Sequence, residues 1–175
     1  CLSFSYGVTV TYVAIYGKET LNISGGSALF FMLLSLGLIL SRLVGSRTLR
    51  QGKITQNASV GILISLCGYL MFALLQNPIG YYCSAFIVGL GNGHMWPAYQ
   101  TMFLNLAPHT QRGTANSSIL ISWDIGVGLG TLIGGAIAEH CGYQQAFIAS
   151  ALVNLIGIII FFGYAKNDFL KNKLR

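Results

Sequence analysis

Six apolar segments of membrane-spanning length restrict what this sequence can fold into more than any other feature. They lie at about 1–17, 27–45, 57–76, 80–106, 114–139 and 145–165, with short polar stretches between them. A helix needs roughly 20 apolar residues to cross a hydrocarbon core of about 30 Å. The segments are continuous runs without period-two alternation, which favours helices over strands. The sequence therefore predicts an all-α integral membrane protein, a bundle of six transmembrane helices in a lipid bilayer.

Composition agrees with this prediction. Of the 175 residues, 54% are hydrophobic and only 8% are charged, which leaves too little polar surface for a soluble domain. We expect residues 1–165 to form the bundle and residues 166–175 to form a basic cytoplasmic tail. The apolar run is already under way at Cys1. We therefore interpret the first helix as N-terminally truncated.

The placement of the charges predicts the topology. The net charge is +6, and nine of the ten basic residues lie in or beside the second-to-third loop, the fourth-to-fifth loop and the tail. Only Lys18 lies on the other side. Because cytoplasmic loops are enriched in Lys and Arg, this distribution puts both ends of the segment in the cytoplasm and does not indicate a nucleic-acid partner. The cytoplasmic-loop arginines on this interpretation are Arg42, Arg47, Arg50 and Arg112.

Two ionisable residues interrupt the fourth and fifth apolar segments. Asp124 is about 10 residues, or roughly 15 Å, from the start of its helix, and His94 is about 12 residues, or roughly 18 Å, from the end of its own. An ionisable group inside a membrane is costly and usually functional. We therefore predict that Asp124 and His94 lie at similar depth and are candidate proton-coupling groups. The alternative is that Asp124 only hydrogen-bonds within a helix interface.

A second set of residues is predicted to line a substrate cavity. In the first helix, Ser5, Thr9, Tyr12 and Tyr16 recur at helical spacing and share one face. In the fourth helix, aromatic and amide side chains lie near the middle of the membrane, where they would suit amphipathic organic compounds. The alternatives are aromatic packing, hydroxyls bonded to their own helix, and tyrosines in the interfacial belt. The cavity candidates are Ser5, Thr9, Tyr12, Trp96, Tyr99 and Gln100.

Small residues predict where helices pack. Gly126, Gly130 and Gly134 form a ridge with a spacing of four residues, which lets another helix approach closely. Asp124 points nearly opposite that ridge, about 200° around the helix. Gly89 and Gly93 follow a similar spacing in the fourth helix. Pro97 removes a backbone hydrogen bond there, so we predict a kink or hinge.

No enzyme chemistry is visible in the sequence. There is no carboxylate pair and no phosphate-binding loop. The four cysteines, Cys1, Cys67, Cys83 and Cys141, lack metal-ligand spacing, and we interpret them as small apolar fillers. We expect neither a cofactor nor a metal.

Three motifs in succession resemble a known family. They are Gly89-Leu-Gly-Asn-Gly93-His-Met-Trp-Pro97, Pro108-His-Thr-Gln-Arg112-Gly113-Thr-Ala115 and Asp124-Ile-Gly126-Val-Gly128-Leu-Gly130. Because it contains these three motifs in this order, the chain resembles the C-terminal half of a major facilitator superfamily transporter. The resemblance is greatest to the bacterial drug and metabolite exporters of the proton-antiporter type.

The resemblance implies that the six segments correspond to helices seven to twelve of a transporter whose N-terminal six-helix half is missing here. The first and fourth would then line the central cavity, and the second and fifth would pack against the missing half. One departure concerns the loop after the second helix, where family members often carry an acidic residue. The stretch from Arg42 to Gly52 contains none, which puts a gating role for Arg47 and Arg50 in doubt.

The favoured function is secondary active transport by alternating access, as proton-coupled export of a small organic compound. One alternative is a facilitator or a sugar or metabolite uptake system, in which Asp124 would be structural. Another is a membrane sensor or scaffold that uses the same fold without transporting.

Overall fold

The computed structural model describes residues 1–23 and 25–174, and these form six long helices and one short one. The helices are α1 (Leu2–Glu19), α2 (Gly26–Arg50), α3 (Ile54–Leu74), α4 (Pro78–Leu106), α5 (Arg112–Cys141), α6 (Tyr143–Ile160) and α7 (Lys166–Asn172). A 3₁₀ turn, His109–Gln111, precedes α5, and a π-helical turn, Phe161–Ala165, joins α6 to α7. The predicted all-α fold is therefore confirmed.

Short turns separate the helices and keep neighbours in sequence antiparallel. Asn77 caps α4, because its side-chain oxygen accepts a hydrogen bond from the Gly80 amide at 2.6 Å. Gly142 alone separates α5 from α6, at a φ of 96° that a residue with a side chain rarely adopts. Such connections leave each helix little freedom to drift away from the next.

The helix α4 lies between α2 and α3, and its glycines allow both to approach closely. A Cβ atom added to Gly89 would overlap the Leu34 carbonyl of α2, and one added to Gly93 would overlap the Ser41 hydroxyl. On the α3 side, a Cβ on Gly91 would overlap the backbone nitrogen of Ser65. Because glycine has no side chain, α4 contacts both neighbours backbone to backbone.

The glycine ridge of α5 packs on α1. A Cβ on Gly126 would overlap the Ser3 hydroxyl, and one on Gly130 would overlap the Phe4 carbonyl. Gly134 lies against Val8, at 2.8 Å from the position of an added Cβ. The opposite face of α5 is open, since its buried residues are only Ile119, Gly130 and Gly134.

An aromatic core holds the bundle together on the side of the α3–α4 turn. The ring centroids of Phe72 and Phe147 are 4.6 Å apart, and those of Tyr16 and Phe147 are 5.1 Å apart. Tyr16 is 1% exposed, so its ring packs inside the bundle and does not face lipid. Burial of several aromatic rings from different helices is a strong non-directional attraction between them.

The C-terminal segment packs on the bundle. Phe169 of α7 is 2% exposed and belongs to an apolar cluster with Ile54 and Met102. The Leu174 amide donates a hydrogen bond to the Asn105 carbonyl at 2.9 Å. The predicted basic tail therefore includes a short helix that packs on the bundle, its cytoplasmic position stays a prediction, and Arg175 lies outside the described residues.

Four of the described helical segments are long and apolar enough to cross a membrane by length and composition: Gly26–Arg50, Ile54–Leu74, His109–Cys141 and Tyr143–Asn172. The helices α1 and α4 are absent from this set because polar and glycine residues lower their hydropathy. They are the two helices around which the others pack, so they need less apolar surface toward lipid.

The cysteines do not fill the core. All four, Cys1, Cys67, Cys83 and Cys141, are free and exposed, so none of them belongs to the buried core. Cys1 also lies close to α6, since a Cβ added to Gly157 would be 2.9 Å from the Cys1 Cβ.

Candidate functional site

Two tryptophans from antiparallel helices mark the candidate site. The ring centroids of Trp96 on α4 and Trp123 on α5 lie 4.8 Å apart, with the ring planes at 70°. The ring centroid of Tyr6 on α1 lies 5.6 Å from that of Trp123. Aromatic rings in edge-to-face contact present flat apolar walls on which another ring can stack. Both tryptophans line the two cavities described next.

The first cavity, which we call the α1-end cavity, has a volume of about 300 Å³. Its walls come from the start of α1 and from facing stretches of α4, α5 and α6. Its lining residues are Cys1, Leu2, Ser3, Met95, Trp96, Tyr99, Phe103, Ile119, Ser122, Trp123, Gly157, Ile160, Phe161 and Ala165. The lining is mostly apolar and aromatic, which suits the apolar body of an organic compound.

The second cavity, which we call the Arg42 cavity, has a volume of about 220 Å³ and combines one cation with aromatic walls. Residues from α1, α2, α4 and α5 contribute to it. They are Tyr6, Leu38, Arg42, Asn92, Trp96, Leu120 and Trp123. Asn92 is 5% exposed and donates from its Nδ2 to the Tyr69 hydroxyl at 3.3 Å.

The structure divides the predicted cavity residues into two groups. Trp96 and Tyr99 line the α1-end cavity, and Gln100 donates from its Nε2 to the Asn116 Oδ1 across the α4–α5 contact at 2.9 Å. The α1 residues lie in helix contacts. Ser5 donates its hydroxyl to the Ser150 carbonyl on α6 at 2.6 Å.

The other two α1 candidates lie outside the lining of both cavities. Thr9 is 1% exposed, and Tyr12 donates its hydroxyl to the Thr131 carbonyl on α5 at 2.7 Å. The polar face of α1 is therefore directed mainly at α5 and α6 in this conformation.

The two proton-coupling candidates occupy similar heights but different surroundings. They lie within two residues of the Trp96–Trp123 contact, which brings α4 and α5 to the same level there. Asp124 is exposed on the open face of α5, and within residues 1–23 and 25–174 its carboxylate has no hydrogen-bond or ion-pair partner. His94 is half-buried and faces α3 instead, so the two side chains do not form a pair.

Asn57 fixes the orientation of His94. It donates from Nδ2 to the His94 carbonyl at 2.8 Å, and its Oδ1 lies 3.0 Å from the His94 Nδ1. Since an amide oxygen only accepts, the proton of this second bond belongs to Nδ1. The Nε2 atom is then the position at which the ring gains or loses a proton. Gly45 of α2 lies against the same ring, 2.6 Å from the position of an added Cβ.

The predicted hinge lies inside a continuous helix. The helix α4 runs through Pro97 to Leu106, and Thr101 donates its hydroxyl to the Pro97 carbonyl at 2.7 Å. Pro97 has no amide proton for the Gly93 carbonyl, so one helical hydrogen bond is missing beside the candidate site. Hinge motion at this point stays a prediction.

The structure places all four arginines in helices, so their assignment to loops is wrong, whereas their cytoplasmic side stays a prediction. Arg42, Arg47 and Arg50 all belong to α2, which continues five residues beyond the predicted end at 45. Arg112 is the first residue of α5, at the end of the connection from α4. The helix persists because Gly45 packs against α4 and does not end it, and Gly52, with a φ of 74°, makes the turn.

Sequence reasoning missed four residues of the Arg42 cavity. Arg42 itself was assigned to a loop, and Tyr6, Asn92 and Trp123 were not singled out. A signal was available for the arginine, which is embedded in the apolar run Leu-Ile-Leu-Ser-Arg42-Leu-Val. An arginine in such a run usually faces the bundle interior or a cavity. No comparable signal marks Tyr6, because aromatic residues are common in membrane helices.

The described part of the chain contains no group of three His, Cys, Asp or Glu side chains that could hold a metal ion.

Comparison with known proteins agrees with the fold. The family model of the Major Facilitator Superfamily matches residues 1–127 and 84–173, and the chain belongs to this family. Its architecture, six long helices, is that of one half of such a transporter.

Two curated relatives are similar to the chain. Multidrug resistance protein MdtG of Erwinia billingiae (strain Eb661) is 30% identical over 98 residues, which are 56% of this chain and 24% of that protein. The uncharacterized MFS-type transporter YttB of Bacillus subtilis (strain 168) is 26% identical over 163 residues, 93% of this chain and 40% of that protein. The chain therefore spans well under half the length of these relatives.

Solved structures show the same fold. A crystal structure of a mutant peptide transporter POT in complex with alafosfalin has a TM-score of 0.83, at 17% identity, and covers 99% of this chain and 38% of that chain. The in meso crystal structure of the POT family transporter PepTSo has a TM-score of 0.77 at 16% identity, over 95% of this chain and 35% of that chain. At these identities the likeness concerns the fold alone.

Proposed function

We propose that this chain is the C-terminal half of a proton-coupled exporter of small organic compounds, which works by alternating access in the cell membrane. The observation that carries the proposal is the pair of aromatic-lined cavities, placed between the two least apolar helices and α5 of a Major Facilitator Superfamily fold. Transporters of this kind bind substrate near the midplane, between two halves that rock around the site. A six-helix N-terminal half would complete the cavity.

Two observations support export as the direction of transport: the name of a relative and the placement of the charges. Multidrug resistance protein MdtG is named for resistance, which is what export of toxic compounds would confer. The excess of basic residues around the α2–α3 and α4–α5 connections supports a cytoplasmic position for them and for both ends of this segment. Trp96 and Tyr99 would then contact a substrate in its passage outward.

Proton coupling is assigned to Asp124. Its carboxylate lies between Ile121 and Ile125 on an apolar face and has no partner within the described residues. A lone carboxylate in the apolar part of a membrane helix is costly and usually functional, which supports a coupling role. His94, at the same height, is proposed as a second proton-binding group, with Nε2 as the reacting atom.

The test uses the protein at its natural length, reconstituted in liposomes with the pH dye pyranine inside. Ethidium, an aromatic cation, and fluorescein, an aromatic anion, serve as probe compounds under an imposed pH gradient. We expect the wild type to move at least one probe against its gradient, with matching proton movement. Asp124→Asn should keep exchange of the probe and lose the pH-driven accumulation.

Glu139→Gln is the matched control, because it removes an exposed carboxylate from the same helix, 15 residues away. It should behave as the wild type does. His94→Gln should reduce the pH-driven component. Full pH-driven transport by Asp124→Asn at the wild-type rate would show that the coupling role is wrong.

A further inference from the structure

Arg42 lies within the apolar stretch of α2, and its exposed side chain lines the Arg42 cavity. It precedes the end of α2 at Arg50 by eight residues, which corresponds to about 12 Å along the helix. Its neighbour Ser41 fits against Gly93, and Gly37 fits against the α4 backbone, so α2 and α4 are held in close contact here. Arg42 and Trp96, one on each of these helices, both line the cavity.

The chain supplies no acidic partner for this arginine. Its four acidic residues are Glu19, Asp124, Glu139 and Asp168, and none of them lines the Arg42 cavity. Within the described residues, the Arg42 guanidinium has no ion-pair partner. Asp124 follows Trp123 in sequence, but its carboxylate is on the open face of α5. A guanidinium without a carboxylate partner gains from charge-assisted hydrogen bonds to an anion that enters the cavity.

The remaining walls of the cavity are suited to a ring. Trp96 and Trp123 form one aromatic wall, and Tyr6 lies against Trp123 from a third helix. Asn92 is held by its bond to Tyr69, so its amide is a fixed polar group rather than a mobile one. One cation, flat aromatic surfaces and one fixed amide define the chemistry of the site.

We propose that the Arg42 cavity binds a small organic anion with an aromatic ring, such as an aromatic carboxylate. The guanidinium binds the carboxylate with two parallel N–H donors, and the tryptophans contact the ring. The proposal rests on the proposed transport function and names the substrate class of the same site. An arginine is better suited than a lysine, because its planar fork matches both oxygens of a carboxylate.

The experiment compares three compounds with one ring system: 1-naphthoate, neutral 1-naphthamide and cationic 1-naphthylmethylamine. Binding to the purified natural-length protein is followed by quenching of tryptophan fluorescence, and transport is followed in liposomes. Wild type should bind 1-naphthoate at least about tenfold more tightly than 1-naphthamide, and the amine should bind most weakly.

Arg42→Gln should weaken 1-naphthoate binding about tenfold and leave 1-naphthamide within about twofold of wild type. Arg42→Lys should give an intermediate loss. Arg50→Gln, which removes an exposed arginine from the end of the same helix, is the matched control. It should leave the affinities for all three compounds unchanged.

Tighter binding of the amine than of the naphthoate by wild type would overturn the proposal, even if no Arg42 variant folds. Unchanged naphthoate binding in a folded Arg42→Gln protein would also overturn it. Failure of the transport function is a separate result. If no compound, including ethidium and fluorescein, causes proton movement, proton-coupled transport is rejected. The binding affinities of the three naphthalene compounds would still test the role of Arg42. Transport of ethidium with no preference for naphthoate would keep the function and reject the anion site.

Discussion

The two halves of this bundle both pack through glycine contacts, but they differ in whether their buried polar side chains have hydrogen-bond partners. In the first, which we call the α4 unit, α4 packs between α2 and α3. In the second, the α1 unit, α1 packs between α5 and α6. Glycines permit close approach in both. The difference lies in the buried polar side chains.

Buried polar groups in the α4 unit are paired. Asn57 bonds to His94, and Asn92 bonds to Tyr69. In the described residues, four buried side-chain atoms lack a partner, and all lie in the α1 unit: Thr9 Oγ1, Tyr16 OH, and Nδ2 and Oδ1 of Asn154. An unpaired buried polar group destabilises a fold unless water or a second conformation satisfies it. We infer that the α4 unit is the rigid part and that the α1 unit is the part which rearranges.

The largest expected effect comes from adding a methyl group to the α4 unit. Gly91→Ala places a Cβ into the Ser65 backbone, and α4 cannot move away because α2 lies on its other side. We expect the free energy of unfolding in detergent to fall by about 3 kcal/mol. Gly130→Ala meets the Phe4 backbone, but α5 is open on its far face and can shift outward, so the loss should be about 1 kcal/mol.

The control for both variants is Gly128→Ala. An added Cβ there has no neighbour within 4 Å, and alanine favours a helix, so stability should rise by up to about 1 kcal/mol. Thermal unfolding of the natural-length protein measures all three. Equal losses in Gly91→Ala and Gly130→Ala would contradict the assignment of the α4 unit as the more rigid one.

Much of this packing is predictable from sequence, because run length fixes a transmembrane helix and small residues at a spacing of four mark a close contact. The Gly126, Gly130 and Gly134 ridge lies on α1 for that reason. The cavity is less predictable. Ser5 shares a helical face with Tyr12, yet its hydroxyl is satisfied by the α6 backbone, a contact between residues 145 positions apart.

Arg42 shows why the charged part of the site was missed. The positive-inside rule assigns arginines near a helix end to the cytoplasm, and it does not show how far the helix continues. The helix α2 extends to Arg50 because Gly45 packs in a helix contact, where glycine costs little compared with its effect in an isolated helix. Tertiary packing decided the boundary.

The next largest expected change in stability concerns two buried asparagines. Asn57→Leu removes both bonds to His94 and leaves the imidazole N–H without its acceptor, so stability should fall by about 1–3 kcal/mol. Asn154→Leu removes an amide whose two polar atoms have no partner within the described residues, so stability should rise by about 1 kcal/mol. Chemical unfolding in detergent gives both values.

A fall in stability for Asn57→Leu and a rise for Asn154→Leu would distinguish the two units. A double-mutant cycle between Asn57→Ala and His94→Ala should give a coupling energy of about 1 kcal/mol or more, since each residue is the partner of the other. A loss in Asn154→Leu as large as that in Asn57→Leu would indicate that water bonds Asn154, and the contrast between the units would disappear.

The smallest expected effect concerns two hydroxyls one turn apart on α1. Ser5 donates to the Ser150 carbonyl at 2.6 Å, whereas the Thr9 hydroxyl is buried without a partner in the described residues. Thr9→Val keeps the side-chain shape and removes only the unpaired hydroxyl, so stability should rise by about 0.5 kcal/mol. Ser5→Ala removes a made bond, and stability should fall by about 1 kcal/mol. Both are measured by unfolding in detergent. A loss in Thr9→Val would mean that this hydroxyl has a partner in solution, and the α1 unit would then be as fully satisfied at this level as the α4 unit.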